Sequence, residues 1–328
     1  MYDVPEPSST LKRRGRLFRI GAAFVVLFAV AGYLAVQYVT GGRGGSGCRV
    51  VSGEADGAAY EFTPEQAVNA ATIAAVGTGR GMPERAVTIA IATALQESQL
   101  RNIEHGDRDS LGLFQQRPSQ GWGTRKQILD PTYAAGKFYQ HLAKVHDYAA
   151  LPLTVAAQRV QRSGYPEAYA KHEPDATLLA AALTGNSAAT LTCAGLPATT
   201  QAAGPDAVRA ALVRDFGRDA LQPAAAEVNA VSTSAPSPTG STGTSARTVT
   251  LPVAAGKSPA KGRSVRQRGW QLAHWAVANS SALHIERVSY GGREWTAGNA
   301  DNPWHTAAAE GLGGVEKAAD AVRIVTAQ

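Results

Sequence analysis

The sequence predicts a mainly α-helical protein, with one helical domain behind a single membrane-spanning helix and a small α+β domain after it. Three observations predict this. Residues 60–191 carry apolar side chains at helical spacing behind good helix-start residues. Residues 20–39 form an apolar run in which Gln37 is the only strongly polar side chain. Beyond residue 261, one amphipathic stretch is followed by short β-rich runs around Gly291-Gly292. The chain has 328 residues, 44% apolar and 18% charged, with 34 Gly and 17 Pro. Such a composition suits folded domains joined by linkers and excludes collagen, a wholly disordered chain and a disulfide-dense miniprotein.

Residues 1–19 are a basic tail in which Lys12, Arg13, Arg14, Arg16 and Arg19 stand against Asp3 and Glu6. Half of the net charge of +6 therefore sits in this tail, and too little remains for a nucleic-acid-binding face. Residues 20–39, as a helix rising about 1.5 Å per residue, match the roughly 30 Å hydrocarbon core of a bilayer. A cleaved secretory signal is the competing reading, but the run exceeds the usual apolar stretch of about 7–15 residues, and residues 41–47 offer no A-x-A site. The basic tail, with only Arg43 and Arg49 shortly after the helix, predicts a cytoplasmic N-terminus and a cell-membrane protein whose bulk is extracytoplasmic. Both cysteines, Cys48 and Cys193, fall on that outer side, either as a disulfide closing a loop of about 145 residues or as two thiols.

The helical domain is assigned to residues 60–191. Thr63-Pro64-Glu65-Gln66 is a capping-box start, with Pro at the first helical position, and an Ala-rich helix follows to Gly77. A second helix runs from Pro83 to near Glu97 with Val87, Ile91, Ala94 and Leu95 on one face. Asp130-Pro131 starts a third, and residues 154–162, 167–172 and 174–183 supply three more. No strand alternation stands out here. A short amphipathic stretch covers residues 206–216, and residues 222–261, rich in Ser, Thr, Pro and Ala, read as a disordered tether. The small α+β domain, residues 262–328, is read as a helix over 270–282, a hairpin of 285–290 and 293–296, and a last strand over 322–326.

The chemistry-bearing stretch is Leu95-Gln96-Glu97-Ser98-Gln99-Leu100, a polar loop, and Gly112-Leu113-Phe114-Gln115-Gln116-Arg117-Pro118. A carboxylate ending an apolar helix beside a second apolar turn can sit in a cleft where desolvation raises its pKa, which suits a general acid. An isolated Glu at a helix end is ordinarily a solvated surface residue. Order and spacing change that weighting. The stretch resembles the catalytic core of lytic transglycosylases and goose-type lysozymes, a lysozyme-like α-helical superfamily acting on peptidoglycan. Their pattern is E-S, a loop, then G-L-M-Q-x-x-P, and here Gly112 follows Glu97 by 15 positions. Ile128-Leu129-Asp130-Pro131 and Ala135-Gly136-Lys137-Phe138-Tyr139 are similar to the family's next helix.

The resemblance implies that Glu97 is the single catalytic acid/base, that Ser98 orients it or the substrate, and that Phe114, Gln115 and Tyr139 contribute to a sugar-binding cleft; Trp122, among the turn residues of 117–123, suits a sugar-stacking platform or else a plug of the domain core. It implies cleavage of the MurNAc–GlcNAc β-1,4 bond with no cofactor. An inverting muramidase would need a second carboxylate about 6.5–9.5 Å away, for which Asp107 and Asp109 are the candidates. Otherwise these two belong to a solvated turn. Two departures stand out: Asp109-Ser110-Leu111 replaces the family's Gly-Ala, and Val160-Gln161-Arg162-Ser163 replaces a Tyr-Asn-Ala-Gly whose Tyr faces the catalytic Glu. Tyr165 and Tyr169 are the candidates to replace that ring in space. A glycan-binding scaffold without turnover is the reading from another class.

Arg117, Arg125 and Lys126, near Trp122, suit anionic wall polymer or stem-peptide carboxylates, or else a solvated face. No His-x-His or His-x-x-x-His pair occurs, so no metal is expected. Trp270, Trp275, Trp295 and Trp304 read as a small-domain core. Their region looks similar to a C-terminal module behind actinobacterial cell-wall hydrolase domains, without the His-x-His ending such modules can carry. Its expected partners are the cell wall or division proteins; those of the helical domain are peptidoglycan strands, and residues 20–39 meet the lipid bilayer.

Overall fold

The computed structural model describes residues 47–195, 204–218, 247–253, 264–298, 304–307 and 321–327. The basic tail, the apolar run at 20–39 and most of the expected tether lie outside these residues. Among the described residues no helix is long and apolar enough to cross a membrane. About half of the structure is helical and two small sheets accompany the helices, which corrects the mainly α expectation to a mixed α/β one.

Strand β1 (Cys48–Val51) pairs antiparallel with β2 (Ala59–Phe62) on one side and β3 (Leu191–Cys193) on the other. The strands are only three or four residues long, too short for alternation to stand out, so the expectation of an all-α segment misses them. Cys48 lies directly opposite Cys193 in the ladder, and the two form a disulfide.

Between β2 and β3 lie six helices and two 3₁₀ turns, the first at Pro118–Gln120. Helix α1 (Pro64–Gly79) starts on the expected capping box, with Thr63 Oγ1 accepting from Gln66 N–H and the Gln66 side chain accepting from Thr63 N–H. Helix α2 (Glu84–Ser98) is buried on nearly every side from Ala86 to Leu95 and forms the axis of the body. The rest are α3 (Arg125–Ile128), α4 (Pro131–Leu142, capped by Asp130), α5 (Leu153–Gln161), a 3₁₀ turn (Pro166–His172) and α6 (Glu173–Leu183). Helices α1, α4, α5 and α6 pack around α2 and seal a core of Ile89, Ile91, Leu95, Phe138 and Leu179. Each such side chain contributes about 2 kcal/mol of burial.

Helix α7 (Gly204–Phe216) leads to β4 (Thr248–Pro252), α8 (Val265–Ala278), α9 (Ser280–Leu283), β5 (Ile285–Tyr290), β6 (Arg293–Thr296), β7 (His305–Thr306) and β8 (Ala321–Thr326). The second sheet is antiparallel, in the order β4-β8-β5-β6-β7. The hairpin β5–β6 turns at Gly291 and Gly292, both at positive φ (57° and 74°), as a two-residue turn of right-twisted strands requires. The expected tether is corrected at Thr248–Pro252: Val249, Leu251 and Val253 are buried, and the segment is an edge strand of this sheet.

Helix α8 lies between that sheet and the helical body, touching β5 and β8 on one side and α1, α6 and β3 on the other. Polar bonds stitch this junction. Trp304 donates its indole N–H to Leu191 O at 2.9 Å, and Gln271 Nε2 donates to Thr78 Oγ1 at 2.6 Å. His274 is fully buried, with Nδ1 2.8 Å from Ala182 O and Nε2 accepting from Thr190 N–H at 3.2 Å. Asp215 of α7 is also buried, receiving Trp275 Nε1–H at 2.8 Å and Arg214 Nε–H at 2.7 Å, so its charge is paired where desolvation is most costly.

Candidate active site

Glu97 sits one residue before the end of α2, and what ends that helix also aims the side chain. Gln99 and Leu100 both adopt left-handed backbone, φ 55° and 58°, which costs roughly 1–2 kcal/mol per non-glycine residue. Their carbonyls are held by α1: Gln66 Nε2 donates to Gln99 O and Asn69 Nδ2 to Leu100 O, each at 2.8 Å. The chain is thereby turned sharply away just beyond Glu97, leaving the carboxylate at a helix end that faces a cleft.

The opposite wall is the turn at Gly112-Leu113-Phe114-Gln115, closed by a bridge between Leu111 and Gln116. Ser98 Oγ donates to Leu113 O at 2.8 Å, with Ala94 O at 3.2 Å, so this hydroxyl ties the turn to α2. Gly112 has φ 72°, and a Cβ there would stand 2.7 Å from Ile128 O; only glycine fits this approach. Gln161, at the end of α5, donates to Phe114 O at 2.8 Å.

These walls enclose a cleft of about 810 Å³ whose lining includes Glu97, Asp107, Gln115, Arg117, Trp122, His141 and Gln161. Trp122 stacks on His141 with ring centroids 4.2 Å apart. Of the residues expected in the sugar cleft, Gln115 and Trp122 line it. Phe114 and Tyr139 do not, which corrects their expected role: both are fully buried core side chains. Phe114 stacks on Phe138 at 4.7 Å, and the Tyr139 hydroxyl donates to Ile73 O at 3.0 Å. Apolar residues at helical spacing serve core and cleft alike, and only the packing separates the two.

Tyr169, from the 3₁₀ turn, reaches the catalytic candidate: its hydroxyl donates to Glu97 Oε1 at 2.7 Å. Tyr165, the other candidate ring, is 79% exposed at the rim. Burial pushes the Glu97 carboxyl above its ordinary pKa, opposed by hydrogen bonds from Tyr169 and Gln161 and by the nearby Arg117 charge. Burial also raises the Tyr169 phenol, as does the adjacent Glu97 charge, so Tyr169 stays a donor. The resulting carboxyl is desolvated yet has a donor ready for its ionised form, as an acid that must also act as a base requires.

The alternative carboxylates are occupied. Asp107 lines the cleft but is bound by Arg117 at 2.8 Å and approached by Arg108 at 4.0 Å. Asp109 is absent from the lining described for the cleft; it accepts the Ser119 N–H at 2.8 Å, which holds its carboxyl below the usual carboxylate range. Among the described residues no group of His, Cys, Asp and Glu is arranged to hold a metal ion. The part played by Gln161 was missed from sequence, although it stands where the family's Asn is expected. No protein-family model matches the chain, and no curated protein matches it.

Proposed function

We propose that this cleft cleaves the MurNAc–GlcNAc β-1,4 bond of peptidoglycan strands by lytic transglycosylation, with Glu97 as the single acid/base. The observation that carries the reading is the Tyr169–Glu97 bond behind the cleft-lining Glu97, because it supplies from another position the ring that this chain lacks at the family's Tyr-Asn-Ala-Gly. Protonated Glu97 gives its proton to the glycosidic oxygen as the C1–O bond breaks. The carboxylate, stabilised by Tyr169 and Gln161, then takes the proton of the muramic C6 hydroxyl as that oxygen bonds C1, which closes a 1,6-anhydro ring and restores the acid. No second carboxylate is needed, and the pairing of Asp107 with Arg117 favours this course over an inverting hydrolase. In this reading residues 20–39 anchor the enzyme in the cell membrane with the cleft facing the wall, and the C-terminal domain meets wall or division partners.

The test is incubation of the full-length protein and of Glu97→Gln with peptidoglycan, followed by mass analysis of the soluble products. Anhydro-muropeptides from the wild type alone are expected. Reducing-end products would make it a hydrolase, and no release from a folded wild type would leave a glycan-binding scaffold.

A further inference from the structure

The basic residues prominent in the sequence near Trp122 are largely neutralised in the fold. Arg117 bonds Asp107 and Ser110, and Arg125 bonds Glu104. A different set remains. Arg108, Arg159 and Arg162 line the cleft together with Glu97. Among the described residues Arg159 and Arg162 form no ion pair, and Arg108 only approaches Asp107 at 4.0 Å, a carboxylate already bound by Arg117. The described lining thus holds four guanidinium groups against two carboxylates, Glu97 and Asp107.

The backbone gives a second, independent sign. Arg108 and Arg162 occupy left-handed conformations, φ 57° and 53°, a region that favours Gly or Asn over long side chains. Arg162 caps α5, and Arg159 lies in its last turn. The negative end of the helix dipole steadies both cations there, but it does not require arginine at the left-handed position.

We infer that Arg108, Arg159 and Arg162 form an anion-reading wall for the carboxylates that a glycan strand carries on its muramic-acid arms, foremost those of the stem peptides. Guanidinium groups grip carboxylates through paired N–H donors, and the three arginines are exposed along the cleft, where a ligand can reach them. The substrate is therefore an acidic, peptide-bearing strand, and carboxylate amidation weakens its capture. This rests on the glycan-strand reading above.

The test measures binding rather than turnover, so it is decided whether or not the chain cleaves. Full-length Glu97→Gln is titrated calorimetrically with three strands of equal length: one with free stem-peptide carboxylates, one with those carboxylates amidated, and one stripped of peptide, which keeps only the lactyl carboxylate. The free-carboxylate strand should bind about tenfold more tightly than the amidated one, and each of Arg159→Ala and Arg162→Gly should remove about threefold of that preference. Arg162→Gly suits the local backbone, so weaker binding by it is not a folding defect. A stripped strand binding as tightly as the free one supports the wall with the lactyl carboxylate as its ligand. Equal binding of free and amidated strands, or a preference that survives both substitutions together, overturns the inference. Failure of the wild type to cleave peptidoglycan would sink the proposed activity alone.

Discussion

The Tyr169 hydroxyl donates to Glu97 Oε1 across 2.7 Å, joining two residues 72 positions apart in sequence. The bond opposes the desolvation that raises the Glu97 carboxyl, so it tunes that group in both halves of the reaction. Tyr169→Phe should lower kcat about tenfold and move the pH at which activity falls on the alkaline side upward, since a carboxylate without its donor holds its proton more tightly. Glu97→Gln should lose at least a hundredfold. A pH–rate profile of the two variants checks both. A profile unmoved in Tyr169→Phe would show that the bond is structural.

Glu97 also links activity to stability. Its folded pKa lies above the ordinary carboxyl value of 4.5, so its favourable contribution is complete below that pH and is lost as pH rises through the folded value. Glu97→Gln should therefore raise Tm at pH 7, by about 2 °C, with the gain shrinking towards pH 4. Thermal unfolding at the two pH values decides it.

His274 works in the opposite sense. Burial pushes its pKa down to about 4 from 6.5, so stability is complete above 6.5 and drains away as pH falls towards 4. The loss is about 3 kcal/mol in this interval. Urea midpoints should fall more steeply between pH 7 and 4.5 in the wild type than in His274→Gln, and hydrogen exchange in α8 should quicken first. Parallel slopes in the two proteins would contradict the assignment.

The Cys48–Cys193 disulfide, with a sequence separation of 145, ties β1 to β3 at the edge nearest α8. Cys48→Ala/Cys193→Ala should lower unfolding free energy by about 4 kcal/mol. Denaturant titration of oxidised protein, reduced protein and the double variant tests this; reduction and substitution should agree.

Asp107→Asn should change cleavage less than threefold and leave the product type unaltered, because Arg117 already occupies that carboxylate. Initial rates beside Glu97→Gln distinguish a single acid/base from a carboxylate pair.

Much of the local structure is legible in the sequence because it depends on near neighbours. Thr63 to Gln66, Asp130-Pro131 and Gly291-Gly292 each set a cap or turn through groups two or three residues away, and the observed α1, α4 and β5–β6 start or turn there. The spacing of Glu97 from Gly112 likewise pointed to one site, and the fold brings that helix end and that turn together through Ser98.

What the sequence alone could not determine was set by distant partners. Strand β4 forms only because β8, far along the chain, supplies its ladder, so a Ser/Thr-rich neighbourhood concealed it. Phe114 and Tyr139 are apolar at spacings that suit cleft and core equally, and the packing of Phe138 and Ile73 against them decided for the core. The choice of Tyr169 over Tyr165 rested on where a 3₁₀ turn docks against α2. The sequence by itself determined the caps, the turns and the acid candidate, since these follow from short-range hydrogen bonding and periodicity. Only the tertiary structure decided what surrounds Glu97, because burial, and the pKa that burial imposes, belong to all the packed elements at once.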